Sequence, residues 1–180
     1  MLTGVFCALL LLCLYSSGSS LSCRWIDHKF RDYSENSLDL LEMMADHDST
    51  EDAGENTVAF PHHLYSQASA ASAEDKVAFT VQVLREVCAL FEEDDSSSSW
   101  EEKTLENFLN VVNRQADQLH SCIGSHKKRN RRLHMFFKRL SHNVLGQMGH
   151  SARAWELIRQ EVRAHLLAAD QLVASVLTSN

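Results

Sequence analysis

Apolar side chains recur every three or four residues over five stretches of the chain, and polar side chains fill the positions between them. This is the period of an α-helix that packs one face against a core. We therefore predict five amphipathic helices, over about residues 30–46 and then beginning at Ser72, Ser99, Arg131 and Ser151. Since these stretches carry stripes rather than strict alternation, the predicted fold is an all-α bundle.

Two of the predicted helix starts carry a capping signal. Ser72 is followed three residues later by Asp75, and Ser99 is followed in the same way by Glu102. This spacing is typical of a capping box, in which a hydroxyl and a carboxylate satisfy the backbone groups of the first turn. We expect the second and third helices to begin at these serines.

The lengths of the connections predict the topology. About 25 residues separate the first two helices, whereas EDDSSSS and GQMGH join later pairs. Short connections make neighbouring helices antiparallel, and only a long one lets consecutive helices run the same way. The connection between the first and second helices, which we call the A–B loop, is therefore predicted to cross overhand.

The amino-terminal stretch has the pattern of a signal peptide. Residues 1–22 contain no charged side chain, and the apolar run GVFCALLLLCLY is followed by small residues that end at Ser20 and Ser22. That run is shorter than the ~20 residues that span a bilayer. We predict cleavage after Ser22 and a secreted, extracellular chain of residues 23–180, a single helical domain with no membrane insertion.

Charge and motif content exclude several classes of function. The formal net charge of −7 does not fit a general nucleic-acid binder. No nucleophile elbow, HExxH motif, phosphate loop or EF-hand is present, so neither an enzyme nor a cofactor is predicted. His47, His62 and His63 share the A–B loop, but their spacing does not match a zinc site, so no metal is predicted.

Three cysteines remain after removal of the signal peptide. Cys88 lies on the apolar stripe of the second helix and is predicted to be a small buried side chain. Cys23 begins the mature chain, and Cys122 lies at a helix end, just before Gly124. We predict that Cys23 and Cys122 form a disulfide, which would tie the amino terminus to that end of the bundle.

Four segments, in the same order along the chain, resemble type I interferons. SSSSWEEKTLENFLNVVNRQADQLHSC is similar to their helix C region, VAFPHHLY to the Phe-Pro segment of their A–B loop, and FFKRL to their fourth helix. ARAWELIRQEVRAHL is similar to the Cys-Ala-Trp-Glu-Val-Val-Arg signature of the last helix, with Arg153 in place of the cysteine. The A–B loop also lacks a cysteine. This pattern resembles the two-cysteine (group I) branch of fish type I interferons.

The resemblance implies a helical cytokine bundle of five helices that is secreted, antiviral and neither an enzyme nor dependent on a cofactor. Such cytokines join two class II cytokine receptor chains and start JAK-STAT signalling. One receptor face would combine the first helix, the A–B loop and the last helix; the other would use the second, third and fourth helices. Rival interpretations are an interleukin-10-like or type III interferon-like cytokine and a secreted lipid-carrying bundle.

Candidate receptor-binding residues follow from these faces. Arg159 matches the arginine of the signature and shares a polar side with Arg163, although a solvated face or ion pairs with Glu156 and Glu161 are the alternatives. Candidate apolar anchors in the A–B loop are Phe60 and Tyr65, with Phe60 equally able to fill the core. Candidates on the opposite face, all of which we expect to be exposed, are Lys103, Asn110, Asn113, Arg114, His134 and Lys138.

Two further features have a structural interpretation beside a functional one. Trp155 on the fifth helix is predicted to pack in the core, and Trp100 near the start of the third helix is predicted to cover the end of the bundle. The basic run HKKRNRR, His126 to Arg132, fits a weak heparan sulfate contact or a solvated loop at a helix entrance.

Overall fold

The computed structural model describes residues 23–45, 58–92, 100–124 and 128–178. These residues form seven α-helices and one π-helical segment, and they contain no β-strand. The helices are α1 (Arg24–His28), α2 (Phe30–Met43), α3 (His62–Ser69), α4 (Ala73–Glu92), α5 (Glu102–Ser121), α6 (Arg131–Arg139), which continues as the π-helix Leu140–Gly146, and α7 (Ala152–Leu177). The predicted all-α fold is confirmed.

The helix α2 runs antiparallel to α5. The disulfide joins Cys23, just before α1, to Cys122 at the carboxyl end of α5. Further along the chain, at the start of α2, the Tyr33 ring lies 5.9 Å from the guanidinium of Arg114, which precedes Cys122 by about two turns of α5. Later residues of the amino-terminal segment therefore contact earlier residues of α5, which is the arrangement of antiparallel helices.

The helix α4 runs antiparallel to α7 and parallel to α2. Lys76 near its start donates to the Ser175 hydroxyl at 3.0 Å, and Phe91 near its end stacks on Trp155 at the start of α7. Since α2 meets α7 through Leu41 and Arg159, it has the same direction as α4. The four long helices thus run up, up, down and down, and the predicted overhand crossover between α2 and α4 is confirmed.

The core lies where α4 and α7 meet the inner faces of the other helices. The apolar stripes of the second, fourth and fifth predicted helices are buried, among them Val77, Leu84, Phe136, Ile158 and Val162. The helix α4 is enclosed on most sides, because its polar residues Thr80 and Glu86 are buried together with its apolar stripe. A helix covered so widely is central in a bundle, whereas α5 keeps one polar face outside.

An aromatic cluster closes one end of the bundle. The Trp155 side chain is 2% exposed and stacks on Phe91 with ring centres 5.7 Å apart. Trp100 meets Trp155 edge-on at 5.5 Å, and Phe108 meets Phe91 in the same way at 5.6 Å. The predicted structural role of both tryptophans is confirmed.

The capping predictions have different outcomes at the two sites. The Ser72 hydroxyl accepts from the Asp75 N–H at 3.2 Å and donates to the Asp75 carboxylate at 2.7 Å, which confirms the first capping signal. The prediction that the third helix begins at Ser99 is wrong. The residue before α5 is Glu101, whose extended ψ of 118° interrupts helical backbone, and Ser99 itself lies outside the described residues.

Two short helices, α1 and α3, were not predicted. The helix α1 buries only Ile26, so it offers too little periodic pattern to recognise. The helix α3 lies within the A–B loop, directly after Pro61, and buries Leu64, Tyr65 and Ala68. Proline is well suited to a helix start because it lacks an N–H and has a fixed φ. The crossover is therefore anchored by a helix of its own.

The cysteine predictions are confirmed. Cys23 and Cys122 form a disulfide with Cα atoms 5.6 Å apart. Cys88 has a free thiol and is 3% exposed, and burial raises its pKa to about 12. A thiol held so firmly in its neutral form packs as an apolar side chain.

Candidate interaction surfaces

One outer surface is formed by α2, α3 and α7. On α7 the Arg163 side chain is 53% exposed and its Nε lies 3.9 Å from the Glu42 carboxylate of α2. Leu167, one turn further along α7, is 36% exposed, and Met43 beside Glu42 is 72% exposed. This surface, which we call the α2–α7 face, therefore combines charged groups with exposed apolar side chains, as protein interfaces commonly do.

Arg159 does not lie on the exposed part of this face, although the sequence placed it on a polar side together with Arg163. Its side chain is 8% exposed, with Nε and Nη2 donating to the two Glu156 carboxylate oxygens at 2.8 and 2.7 Å. Its Nη1 also faces the Leu41 carbonyl at 3.4 Å and Glu42 at 3.5 Å. The ion pair with Glu156, which the sequence offered as an alternative, is therefore formed. The two residues are one helical turn apart, and α2 covers both of them.

Tyr65 is likewise a core residue and not an exposed anchor. It is 8% exposed, and its hydroxyl hydrogen-bonds to His165 Nδ1 of α7. Phe60 is half-buried and stacks on the Tyr65 ring with centres 5.1 Å apart. The sequence left open whether Phe60 fills the core, and the structure shows it packed against the core surface.

His165 is the centre of a buried cluster that sequence reasoning missed. Its ring is fully buried and lies 4.8 Å from the centres of both Phe60 and Phe137. Its Nε2 lies 3.3 Å from a Glu161 oxygen. Burial lowers the pKa of His165 below its usual 6.5, so the ring is held neutral. His165 continues the spacing of the buried positions Ile158 and Val162, and that signal could have identified it.

The opposite surface is formed by α4, α5 and α6. Its predicted residues on α5 are all exposed, as predicted: Lys103, Asn110, Asn113 and Arg114. All four lie on the solvent side of α5, and Arg114 also lies over the Tyr33 ring of α2. Lys138 on α6 is also exposed. We call this surface the α4–α6 face.

His134 is only partly available on this face, because it belongs to an ion-pair cluster on α4. Its side chain is 25% exposed, and its Nδ1 lies 3.0 Å from the carboxylate of Glu86, which is 5% exposed. Arg129 donates to the same carboxylate at 2.8 Å, and Gln82 at 3.3 Å. The prediction that His134 is exposed is therefore wrong, because most of its side chain is covered.

The Glu86 cluster also sets the charge state of its carboxylate and the position of the basic run. Burial acts to raise the pKa of Glu86, but the hydrogen bonds from His134, Arg129 and Gln82 outweigh it and lower the pKa below 4.5. Gln82 also accepts from the Asn130 N–H at 2.7 Å. Part of the run is thus bound to α4, while Arg131 and Arg132 are exposed and residues 125–127 lie outside the described residues. The heparan sulfate contact stays a prediction.

The described residues offer no sign of metal or membrane chemistry. No group of three His, Cys, Asp or Glu side chains among them is arranged to hold a metal ion, and His47 lies outside them. No helix in the same residues is both long and apolar enough to span a membrane.

A bundle with up-up-down-down helices, an overhand crossover and two exposed faces defines the class of helical cytokines. Comparison with known proteins identifies the family. The model of the interferon alpha/beta domain matches residues 26–176, so the chain belongs to the interferon alpha/beta family, whose members are cytokines and not enzymes.

Individual relatives agree with this family. Interferon a3 of Oncorhynchus mykiss is 37% identical over 170 residues, which cover 94% of this chain and 95% of that protein. The solved structure of zebrafish interferon 1 superposes with a TM-score of 0.72 at 28% identity and covers 86% of this chain and 99% of that one. Membership of this family displaces the interleukin-10-like, type III interferon-like and lipid-carrying interpretations.

Proposed function

We propose that this chain is a secreted antiviral cytokine that joins two class II cytokine receptor chains and starts JAK-STAT signalling. The observation that carries the proposal is the match of the interferon alpha/beta domain over residues 26–176, on a bundle with two separate exposed faces. A ligand of this kind needs no interior site, because it acts by holding two partners on opposite surfaces.

The two faces would each engage one receptor chain. The α2–α7 face offers Arg163, Leu167 and Met43, and the α4–α6 face offers Asn110 and Asn113. Exposed charges steer the encounter with a partner, and apolar side chains at the centre of the contact supply most of the affinity. The buried Arg159 would not contact the receptor itself but would position other residues of this face. Its hydrogen bonds fix Glu156 and hold Glu42 beside Arg163.

Secretion and processing form part of the same proposal. Cleavage after Ser22 would leave Cys23, the partner of Cys122 in the disulfide, as the first residue. The single bridge supports placement in the two-cysteine (group I) branch, since Arg153 occupies the position of the signature cysteine. Intact-mass analysis of protein secreted by transfected cells tests the cleavage site, which is contradicted by any other amino terminus.

Signalling is tested with the purified chain of residues 23–180 on cells that respond to fish type I interferon. We expect STAT phosphorylation and induction of antiviral genes, with both responses lost when either receptor chain is deleted. The same protein unfolded by reduction and alkylation serves as the control. A folded chain that gives no response, or a response that survives deletion of both receptor chains, would contradict the proposal.

A further inference from the structure

A groove of about 610 Å³ lies between α3 and α6, outside both sets of candidate receptor residues. Its floor is apolar and includes Leu64 and Phe136, which are 2% and 1% exposed. Met135 also lines this groove and is 46% exposed, although it is a large apolar side chain. The groove therefore offers apolar surface to a molecule outside the bundle.

The rim of this α3–α6 groove is cationic. Three arginines of α6 line it, Arg131, Arg132 and Arg139, and His63 lines it from α3. No ion-pair partner for these three guanidinium groups exists among the residues that the structure describes. The nearby Arg129, by contrast, is paired with the buried Glu86. The positive charge of the groove is therefore not neutralised within the described part of the chain.

Helix stability does not account for the arginines at the start of α6. The amino end of a helix carries a partial positive charge, which favours acidic side chains and opposes basic ones. The first turn of α6 has no acidic residue, and its first two positions are Arg131 and Arg132. The capping of this end is supplied instead by Asn130, whose side chain accepts from the N–H groups of Arg132 and Leu133. The arginines thus oppose the helix dipole.

The basic charge of the whole chain is concentrated in the same region. Residues 118–155 hold eight of the 17 lysines and arginines and none of the 24 acidic residues. The formal net charge of the whole chain is nevertheless −7, so the rest of the sequence is strongly acidic. The net charge of the chain as a whole therefore disfavours an anionic partner, and the arginines of α6 favour one at the groove.

We propose that the α3–α6 groove binds an acidic segment of a partner protein, one that places an apolar side chain against Met135 and carboxylates against the arginine rim. The apolar floor favours such a segment over a sulfated glycan, which presents sulfates but no apolar side chain. Arginine suits this role because its planar guanidinium binds a carboxylate through two parallel hydrogen bonds. The proposal goes beyond receptor engagement, because none of the candidate receptor residues named above lines this groove.

The test is a selection of random 12-residue displayed peptides on the chain of residues 23–180. The enriched peptides are then synthesised, and their affinities are measured by fluorescence polarisation against Arg131→Gln/Arg132→Gln and Met135→Ser. Matched controls are Arg24→Gln/Lys103→Gln, which removes two exposed charges elsewhere, and Met43→Ser, which removes an exposed methionine on α2. All four replaced sets are exposed, so circular dichroism is expected to show folded protein throughout.

We expect the enriched peptides to combine carboxylates with Leu, Phe, Met or Trp, and both groove variants to bind them at least about ten-fold more weakly than the controls do. The absence of enriched peptides, or equal weakening by the controls, overturns the proposal. A heparin octasaccharide is assayed in parallel. If it binds through Arg131 and Arg132 while Met135→Ser has no effect on any ligand, the groove is a glycan site and the proposal is wrong.

Discussion

At the scale of single residues, Arg159 shows how the environment changes the meaning of a family position. A guanidinium that is 8% exposed and bonded to both oxygens of Glu156 acts first as part of the packing between α7 and α2. Removing one partner of a buried ion pair leaves the other charge without compensation, which costs far more than losing an exposed pair. Arg163, only one turn away, forms an ion pair of the exposed type, with Glu42.

The first prediction is that Arg159→Leu lowers the free energy of unfolding by about 3 kcal/mol, because Glu156 is left buried without its partner. Arg163→Leu is the matched control and should change it by no more than about 0.5 kcal/mol. Urea unfolding followed by circular dichroism measures both. Equal effects of the two variants would show that Arg159 is not buried as described.

The second prediction concerns pH and comes from His165 and Glu86. Burial holds the pKa of His165 below 6.5 in the folded chain, so below pH 6.5 the unfolded chain binds the extra proton and stability falls. The lowered pKa of Glu86 adds a second loss as the pH falls below 4.5. We expect the free energy of unfolding to be about 1 kcal/mol lower at pH 5.5 than at pH 7.5 because of His165.

The control for this pH dependence is a pair of substitutions. His165→Gln should flatten the profile between pH 7.5 and 5.5, whatever its effect on overall stability, whereas His142→Gln at an exposed position should leave the slope unchanged. Urea unfolding at a series of pH values gives both slopes. Stability that rises on acidification in the unmodified protein would contradict the assignment.

At the scale of elements, the disulfide and the helix α3 each attach a segment that has few packing contacts of its own. The disulfide attaches α1, and α3 attaches the A–B loop. The short α1 buries only one side chain, and the bridge ties its start to the end of α5. The two cysteines are 99 residues apart, so the bridge closes a long loop in the unfolded chain. Closing so long a loop lowers the conformational entropy of the unfolded chain. The folded state is therefore stabilised relative to the unfolded state.

The third prediction is that Cys23→Ser/Cys122→Ser lowers the free energy of unfolding by about 3 kcal/mol. Cys88→Ala, which breaks no bridge, should cost about 1 kcal/mol, an ordinary value for a small buried side chain. Non-reducing peptide mapping should find Cys23 linked to Cys122 and Cys88 free. A bridge that contains Cys88 would overturn this assignment.

The fourth prediction concerns the attachment of α3 to α7. Tyr65→Phe removes the hydroxyl that bonds to His165 and leaves His165 Nδ1 without that partner, at a cost of about 1 to 2 kcal/mol. Because the loss is local, hydrogen exchange should increase over residues 62–69 and stay unchanged in α5. Tyr33→Phe, at a half-buried position on α2, is the control. Uniform acceleration in all helices would indicate global destabilisation instead.

At the scale of the whole molecule, the directions of the helices separate the two candidate receptor faces. The crossover carries the chain from the end of α2 to the start of α4 so that both run the same way, and α5 and α7 return. Arg163 on α7 and Asn113 on α5 consequently point away from different sides of one packed core. A rigid core lets each face be changed without disturbing the other.

The fifth prediction follows from this separation. Arg163→Glu should weaken binding to one receptor chain by about ten-fold and leave the other within about two-fold, and Asn113→Arg should show the reverse pattern. Surface plasmon resonance with each receptor ectodomain measures the four affinities, and each variant is the control for the other. Loss of both affinities in either variant would contradict the two-face arrangement.

The sequence by itself determined the class of fold and much of its framework. The stripes of α4, α6 and α7, the long crossover and the pairing of Cys23 with Cys122 could all be predicted, because helix period, loop length and helix ends are local features of the chain. The start of α5 and the presence of α1 and α3 could not. Those short segments depend on contacts with distant helices, and periodicity over so few residues carries little information.

Only the tertiary structure decided which polar residues are exposed. Along the sequence, Arg159 and Arg163 look equivalent at a spacing of four, yet α2 covers the first and leaves the second at the surface. Glu86, Tyr65 and His165 are buried because side chains from other helices supply their partners. A local pattern shows which face of a helix is apolar, whereas the burial of a polar group depends on partners that folding brings from far along the chain.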